Sequence, residues 1–542
     1  MRNKSFIVYT LIFFILISTL IPILAKNDKK IMILEKDTNY SKVGTFNNQK
    51  YNEKLNYGVV RVTEQEIEEI KRDKSVKIRE PFKVKVFLDD AVSIQNVTNS
   101  WKLTANQMNL TGQSQSVCVL DTGADPQHPD LQEKIVAQHC FCELSDCCPN
   151  GLNEDTNATD DNGHGTHVAG IIAAQGNLLG IARQANLVVM KVMDFEGSGN
   201  EVDLISAINW CTENSEEYNI SVISMSLGAD CDLNPDLCSQ STCEGLSPVL
   251  QEEIDSAIAK NISVVIATGN EYNYTHIAWP SCHSGVTRVG SSDKTDLNIS
   301  NFTNRNSLLN LLAVGDSINS TMPRYDVYLN TEYSYPQNYS EMSGTSMATP
   351  MVSGAIAILK QYLNLSGQSK TPSQIETVLN NTGKRIYDSQ SGLNYSRIDV
   401  YSALLSLDRD SPDITIASPQ NNSNSSLNYQ NFSCNVSDWQ LKNITLNVYN
   451  STALINQTSW SISGKSNSTS LNLTNLNLDR RYYWNYLIYD EKNNVLTTQN
   501  YTFYLSNLNV QQISPRDDTH TNVNETYFVC NSSAPESLQL SN

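Results

Sequence analysis

Residues 343–359 read SGTSMATPMVSGAIAIL. A glycine turn is followed by an apolar run of helical length, with Ser346 at its first turn. Two upstream stretches share this economy. VCVLDTGAD (117–125) puts Asp121 at the end of a buried strand, ahead of a glycine turn. NGHGTHVAGIIAA (162–174) puts His164 between glycines at the start of another helix. A serine hydroxyl is a poor nucleophile until a base takes its proton. A histidine does so near neutral pH when a buried carboxylate fixes its tautomer and stabilises the imidazolium. The helix behind Ser346 adds partial positive charge where an oxyanion would form. Gly344 and Ala348 leave room for a substrate backbone.

The surrounding residues, 91–408, alternate short apolar strands with helical patterns. Strands are expected at Val117–Leu120, Leu187–Val192, Ser221–Met225 and Ile262–Ala267. Helices are expected at Val202–Trp210, Val249–Lys260 and Ser346–Tyr362. Such alternation predicts an α/β domain with a doubly wound, mainly parallel sheet. In that architecture the reactive side chains converge at strand ends and helix starts.

The three segments, in the order Asp, His, Ser, resemble those of the subtilisin-like serine proteases, an order that serves as a general example of this triad. LGIARQANLVVMKVMDFEGSG (179–199), SVISMSLG (221–228), VVIATGNE (264–271), WPSCHSGVTRVGSSD (279–293) and SNFTN (300–304) extend the resemblance through much of 91–408. The resemblance implies roles. Asp121 would orient His164, and His164 would serve Ser346 as base and then the leaving amine as acid. Asn270 would donate to the oxyanion beside the Ser346 N–H. Ser226, Leu227 and Gly228 would form an edge on which substrate pairs as an added strand. His128 and His167 lie near the motif and are read as structural.

The chain departs from the family between Ala174 and Gly180, where only Gln175–Leu179 intervene. In many relatives a longer loop there supplies a tight calcium site. No cofactor is required and no metal ligand is assigned. Calcium stays open as a structural ion, and Asp155, Asp160 and Asp161 are read as an acidic solvated loop that could hold a cation. Cys140, Cys142, Cys147 and Cys148 crowd one insertion, and Cys231, Cys238 and Cys243 another, near Cys211 and Cys282 in sequence. The spacing C-x-C-x4-C-C is unlike common zinc pairs, so disulfides are expected, with the pairing open. Cys118, on a buried strand, is read as a free core thiol.

The flanks carry different messages. Arg2 and Lys4 precede an apolar run, Phe6–Ala25, so 1–25 reads as a signal peptide or signal anchor and the remainder as exported, extracellular or at the cell surface. Residues 26–90 hold 15 basic and 12 acidic residues. They show a strand (Tyr57–Val62), a helix opened by the capping box Thr63-x-x-Glu66, and a strand (Ser75–Arg79). This α+β unit resembles the inhibitory propeptide of the same family, which the enzyme cuts off itself. A cut within Phe87–Val92 is expected. After Asp410, strands at Ile414–Ala417, Asn431–Val436, Ile444–Tyr449 and Tyr482–Tyr489 suggest a β-sandwich of Ig/fibronectin-like type over 411–506. Ser418-Pro419 and Cys434 recur 96 residues on as Ser514-Pro515 and Cys530, so 507–542 reads as the start of a second, truncated module.

Composition bounds the function. The chain has 542 residues and a net charge of −19, which disfavours nucleic acid as partner. Asn numbers 61 and the sequons after residue 25 number 26, which fits either N-glycosylation of an exported surface or an Asn-rich, low-complexity C-terminal half. The leading expectation is a secreted serine endopeptidase made as a self-processing zymogen, acting on proteins or peptides and held first by its own propeptide. The rivals are an inactive scaffold used for surface binding or adhesion, and a surface-anchored maturation protease with few substrates. Cell envelope or carbohydrate, as partner of the C-terminal modules, rests on fold analogy alone.

Overall fold

The computed structural model describes residues 30–34, 50–52, 57–72, 78–79, 93–507 (apart from 143–146, 233–234, 296–297 and 452), 509–514 and 529–533. The apolar run 1–25 and the expected propeptide cut at 87–92 lie outside the described residues. The chain divides into two compact units, Met1–Val86 and Phe87–Asn542. In the first, Lys50–Asn52, Tyr57–Val62, Lys30–Leu34 and Ile78–Arg79 pair in that order as an antiparallel sheet. The helix Glu64–Arg72 buries Ile67 and Ile70, three apart on one face.

The second unit is built on a ten-stranded sheet. Its strands are β1 (Ser116–Asp121), β2 (Ile135–Phe141), β3 (Glu154–Asp155), β4 (Asn186–Lys191), β5 (Ile220–Met225), β6 (Ser263–Ala267), β7 (Thr287–Ser292), β8 (Leu311–Val314), β9 (Lys384–Asp388) and β10 (Leu393–Arg397). The spatial order is β9-β10-β8-β7-β6-β5-β1-β4-β2-β3, parallel except for β9 and β3 at the edges. From β1 the chain builds β2 and β4 on one side and then crosses to β5 on the other. The order therefore reverses beside β1, the position where open α/β sheets place their sites.

Helices cover both faces. Val117, Val119, Val222 and Val265 point to one core, shared with α1 (His164–Ala173) and α4 (Thr345–Leu365). Cys118, Leu120, Ile223 and Ile266 point to the other, shared with α2 (Glu201–Glu213) and α3 (Pro248–Ala259). This period of two explains why the strands read as unbroken apolar runs. It also corrects one expectation. Cys118 is not a free thiol but is bonded to Cys211 of α2, which lies on the face to which Cys118 turns. A separation of 93 residues hid the partner. The loop cysteines pair as Cys140–Cys148, Cys142–Cys147, Cys231–Cys238 and Cys243–Cys282. Cys434 is a buried free thiol.

After α5 (Pro372–Thr382) and α6 (Val400–Leu407) the chain becomes strand-rich. Asp413–Ser418, Gln430–Ser437 and Ser466–Leu473 form one sheet. Leu441–Asn450, Ala453–Ser461, Arg480–Asp490, Tyr501–Leu505 and two short strands form another. Phe432 and Val436 of the first share a core with Ile444, Trp484, Ile488 and Phe503 of the second. Trp439 fastens this region to the α/β domain: its ring lies 5.1 Å from that of Tyr362, and its Nε1–H donates to the Thr104 carbonyl (3.1 Å). Farther on, Asn509–Ser514 pairs with Val529–Ser533 so that Gln512 faces Cys530. That register is the Ile416–Cys434 pairing of the first sheet, displaced by 96 residues.

Candidate active site

Asp121 ends β1 and is 1% exposed. Its Oδ1 accepts from the Thr122 N–H (2.8 Å) and from His164 Nδ1–H (2.7 Å). Its Oδ2 is enclosed without a donor, which concentrates negative charge beside the ring. The approach of α1 to β1 requires glycine: a Cβ at Gly165 would lie 2.1 Å from the Gly123 carbonyl and 3.1 Å from Asp121 Oδ1. Burial pulls the His164 pKa down, but the Asp121 charge and hydrogen bond, with the Asp160 charge, more than offset it, so the pKa is raised above 6.5. The ring keeps an exposed edge, at 22%.

The loop before His164 was expected to be acidic and solvated. Asp160 is instead fully buried. Its Oδ1 accepts from Thr122 Oγ1 and the N–H groups of Asn162 and Gly163, and its Oδ2 from the N–H and hydroxyl of Thr166. These donors fix both the turn after β1 and the start of α1, so Asp160 positions His164. A buried charge is stable only when so engaged. Asp161 pairs with the buried Lys191 (2.6 Å), and Asp155 accepts from the N–H groups of Asn150 and Asn157. All three acids first considered for a cation are thus occupied by protein donors. The short loop 175–179 closes on Asp130, whose oxygens accept from the N–H groups of Asn177 and Leu178 (both 2.9 Å). His128 and His167 are buried, with Nε2–H on backbone carbonyls. Burial holds His167 near 3, so it is neutral.

Ser346 is the second residue of α4. Pro350 lacks the N–H that would bond the Ser346 carbonyl in a regular helix. That carbonyl accepts instead from Ser226 Oγ (2.8 Å), and the Ser346 hydroxyl donates to the Ser226 carbonyl (3.0 Å). The nucleophile candidate is therefore tied to the end of β5 rather than to His164. Asn270 follows β6. Its Oδ1 accepts from Thr345 N–H (2.8 Å) and Oγ1 (3.0 Å). A backbone N–H can only donate, so the oxygen is fixed there and the amide N–H groups face the other way.

His164, Ser346, Asn270, Ser226, Leu227 and Gly228 line one cleft of ≈ 300 Å³, with Asp121 behind it. One wall was not foreseen: Leu329, from the helix Tyr328–Tyr333, whose backbone bonds to Asp161 and Asn162. Its segment carries no motif, and only the pairing with the loop before His164 brings it there.

Residues 112–425 match the family described as the subtilase family, and the chain belongs to it. The major intracellular serine protease of Bacillus subtilis (strain 168) is 36% identical over 269 residues, covering 48% of this chain and 73% of that protein. Subtilisin DY of Bacillus licheniformis is 33% identical over 291 residues, 52% of this chain and 90% of that protein. Alkaline serine exoprotease A of Vibrio alginolyticus is 31% identical over 316 residues, 57% and 49% respectively. Among solved structures, a protease from Pseudoalteromonas arctica aligns with 59% of this chain and 98% of its own, at 26% identity and a TM-score of 0.49. The chain is accordingly a serine-type endopeptidase whose substrates are proteins or peptides. The names of the relatives point to both sides of the membrane, so the compartment does not follow from the family. No described helix is long and apolar enough to cross a membrane.

Proposed function

We propose that Asp121, His164 and Ser346 form the catalytic triad of an exported, self-processing zymogen. The observation that carries this reading is the 2.7 Å bond from His164 to the buried Asp121, in the cleft that also holds Ser346 and Asn270. A turn about the Ser346 χ1 would release Oγ from the Ser226 carbonyl and direct it to His164 Nε2, since such bonds often form only with substrate bound. Ser346 then attacks the carbonyl, His164 takes the proton and returns it to the leaving amine, and Asp121 holds the imidazolium. Asn270 and the Ser346 N–H serve the oxyanion. Ser226, Leu227 and Gly228 offer the substrate a strand edge. A fluorophosphonate probe should label the full chain and fail on Ser346→Ala. Absence of label on the parent would favour the scaffold reading instead.

Export rests on the run Phe6–Ala25, and the zymogen on the antiparallel unit that precedes the catalytic domain. N-terminal sequencing of the secreted product should begin near residues 87–92. Ser346→Ala should retain the N-terminal unit, and efficient removal from that variant by no other protease would refute self-processing. The C-terminal strands fit the Ig/fibronectin-like class, with cell envelope or carbohydrate as the partner by analogy. Retention of no such ligand by residues 411–506 would remove that role.

A further inference from the structure

Three carboxyl groups from separate segments meet where the catalytic domain joins the C-terminal strands. Asp408 follows α6, Asp438 follows the strand Gln430–Ser437, and Asp490 ends Arg480–Asp490. Each brings a carboxylate oxygen within 4.8 Å of the other two. Acidic groups at a surface gather often and mean little. Here Asp490 is 0% exposed and Asp408 4%. Asp408 Oδ1 accepts from the Asp410 N–H (3.1 Å), while its Oδ2 is enclosed and has no donor. The ion pairs among the described residues lie elsewhere, and the neighbouring Lys465 turns its Nζ to the Lys102 carbonyl (3.5 Å). An uncompensated charge in such a place is costly, and a bound cation removes the cost.

We propose that Asp408, Asp438 and Asp490 bind one divalent cation of the calcium type, which pins the C-terminal strands to the catalytic domain. Calcium holds oxygens at about 2.3–2.6 Å, so ligands on opposite sides stand about 4.6–5.2 Å apart. Three oxygens that all lie within 4.8 Å of one another can share one such ion. Three carboxylates leave room in a shell of about six to eight oxygens for water or carbonyl groups. The remaining hydrogen bonds shape the site: Gln440 N–H on Asp438 Oδ1 (2.8 Å), and Asn494 on both oxygens of Asp490 (2.7 Å each). Asn494 Nδ2–H also reaches the Asp408 carbonyl (3.4 Å), so one side chain spans the joint. These residues are distinct from the acids around His164 and from the loop 175–179.

The test uses the full chain carrying Ser346→Ala, to prevent autolysis, stripped with EGTA and titrated with calcium chloride by calorimetry. The parent should bind one equivalent more than Asp438→Asn or Asp490→Asn. In EGTA the Asp438→Asn variant should melt above the parent, because repulsion falls. In calcium it should melt below. Asp438 is half-buried, so its variant keeps the test open even where a change at Asp408 prevents folding. Equal calcium stoichiometry in parent and Asp438→Asn, an equal calcium response in melting, or no calcium binding by the parent would each overturn the proposal.

Discussion

In β1 all six residues are buried, whereas in Asp413–Ser418 exposure alternates residue by residue. The first strand lies between two helical layers, and the second has a core on one face only. Burial on both faces leaves the strand end as the place where a polar side chain can meet a cleft, while a mid-strand polar group such as Ser224 is buried and bonded to Ser353. Asp121 stands at such an end, and Ser226 and Asn270 lie just past the ends of β5 and β6. In the C-terminal sheets polar residues appear along every strand, so position marks no site. The catalytic half concentrates its chemistry, and the C-terminal half spreads its polarity and keeps a core led by aromatic rings.

The sharpest way to break this contrast is to truncate one side chain in each half. Ser346→Ala should lower kcat about 10⁶-fold, the magnitude that loss of the corresponding serine causes in subtilisin, while melting changes little. A residual rate near that of the parent would place the nucleophile elsewhere. Trp484→Ala should do the reverse. Its ring is fully buried, edge-to-face with Phe432 and stacked on Tyr501. The loss should destabilise the C-terminal region by about 3–5 kcal/mol in denaturant unfolding and leave kcat on a short peptide unchanged. A parallel fall in kcat would mean that the two halves are coupled.

The contrast also explains what was legible in the sequence. β1, β4 and β6 could be placed because two-sided burial writes a nearly unbroken apolar run, and β5 because only the small Ser221 and Ser224 interrupt its run; their ends move by at most one residue. Asp121, His164 and Ser346 stood out because a glycine lies within two residues of each of them. Asp160 did not, since an acidic residue beside Asn and Gly looks the same whether it caps a buried turn or faces water. The Cys118–Cys211 bond and the wall formed by Leu329 are contacts between distant segments, with no local signal. Ser466–Leu473 went unseen because only Thr469 among its eight residues is buried.

A finer cut separates ground state from transition state within the cleft. Asn270→Ala removes a donor without touching Asp121 or His164. It should lower kcat about 10²–10³-fold with KM nearly unchanged, because the donor is used only once the oxyanion forms. A rise in KM with steady kcat would assign Asn270 to substrate binding. The variant also deletes the acceptor for Thr345 N–H, so Asn270→Asp, which keeps that acceptor and loses the amide, is the better control. Both variants should fail alike if the donor matters.

The smallest effect is the pH limb, and its sign follows from His164. The ring must be neutral to take the Ser346 proton, and its pKa lies above 6.5 because Asp121, aided by Asp160, outweighs burial. The kcat/KM profile should therefore fall on the acid side about tenfold per pH unit, with its midpoint above 6.5. Asp121→Asn removes the charge that raises the pKa, so the residual activity should show a midpoint displaced downward. His167 cannot imitate this limb, since burial holds it near 3 and it stays neutral throughout. A midpoint that stays fixed in Asp121→Asn would mean that some group other than the Asp121–His164 pair sets the profile. In that case the strand end would be a place where polarity is tolerated, as in the C-terminal sheets, rather than the place where it is used.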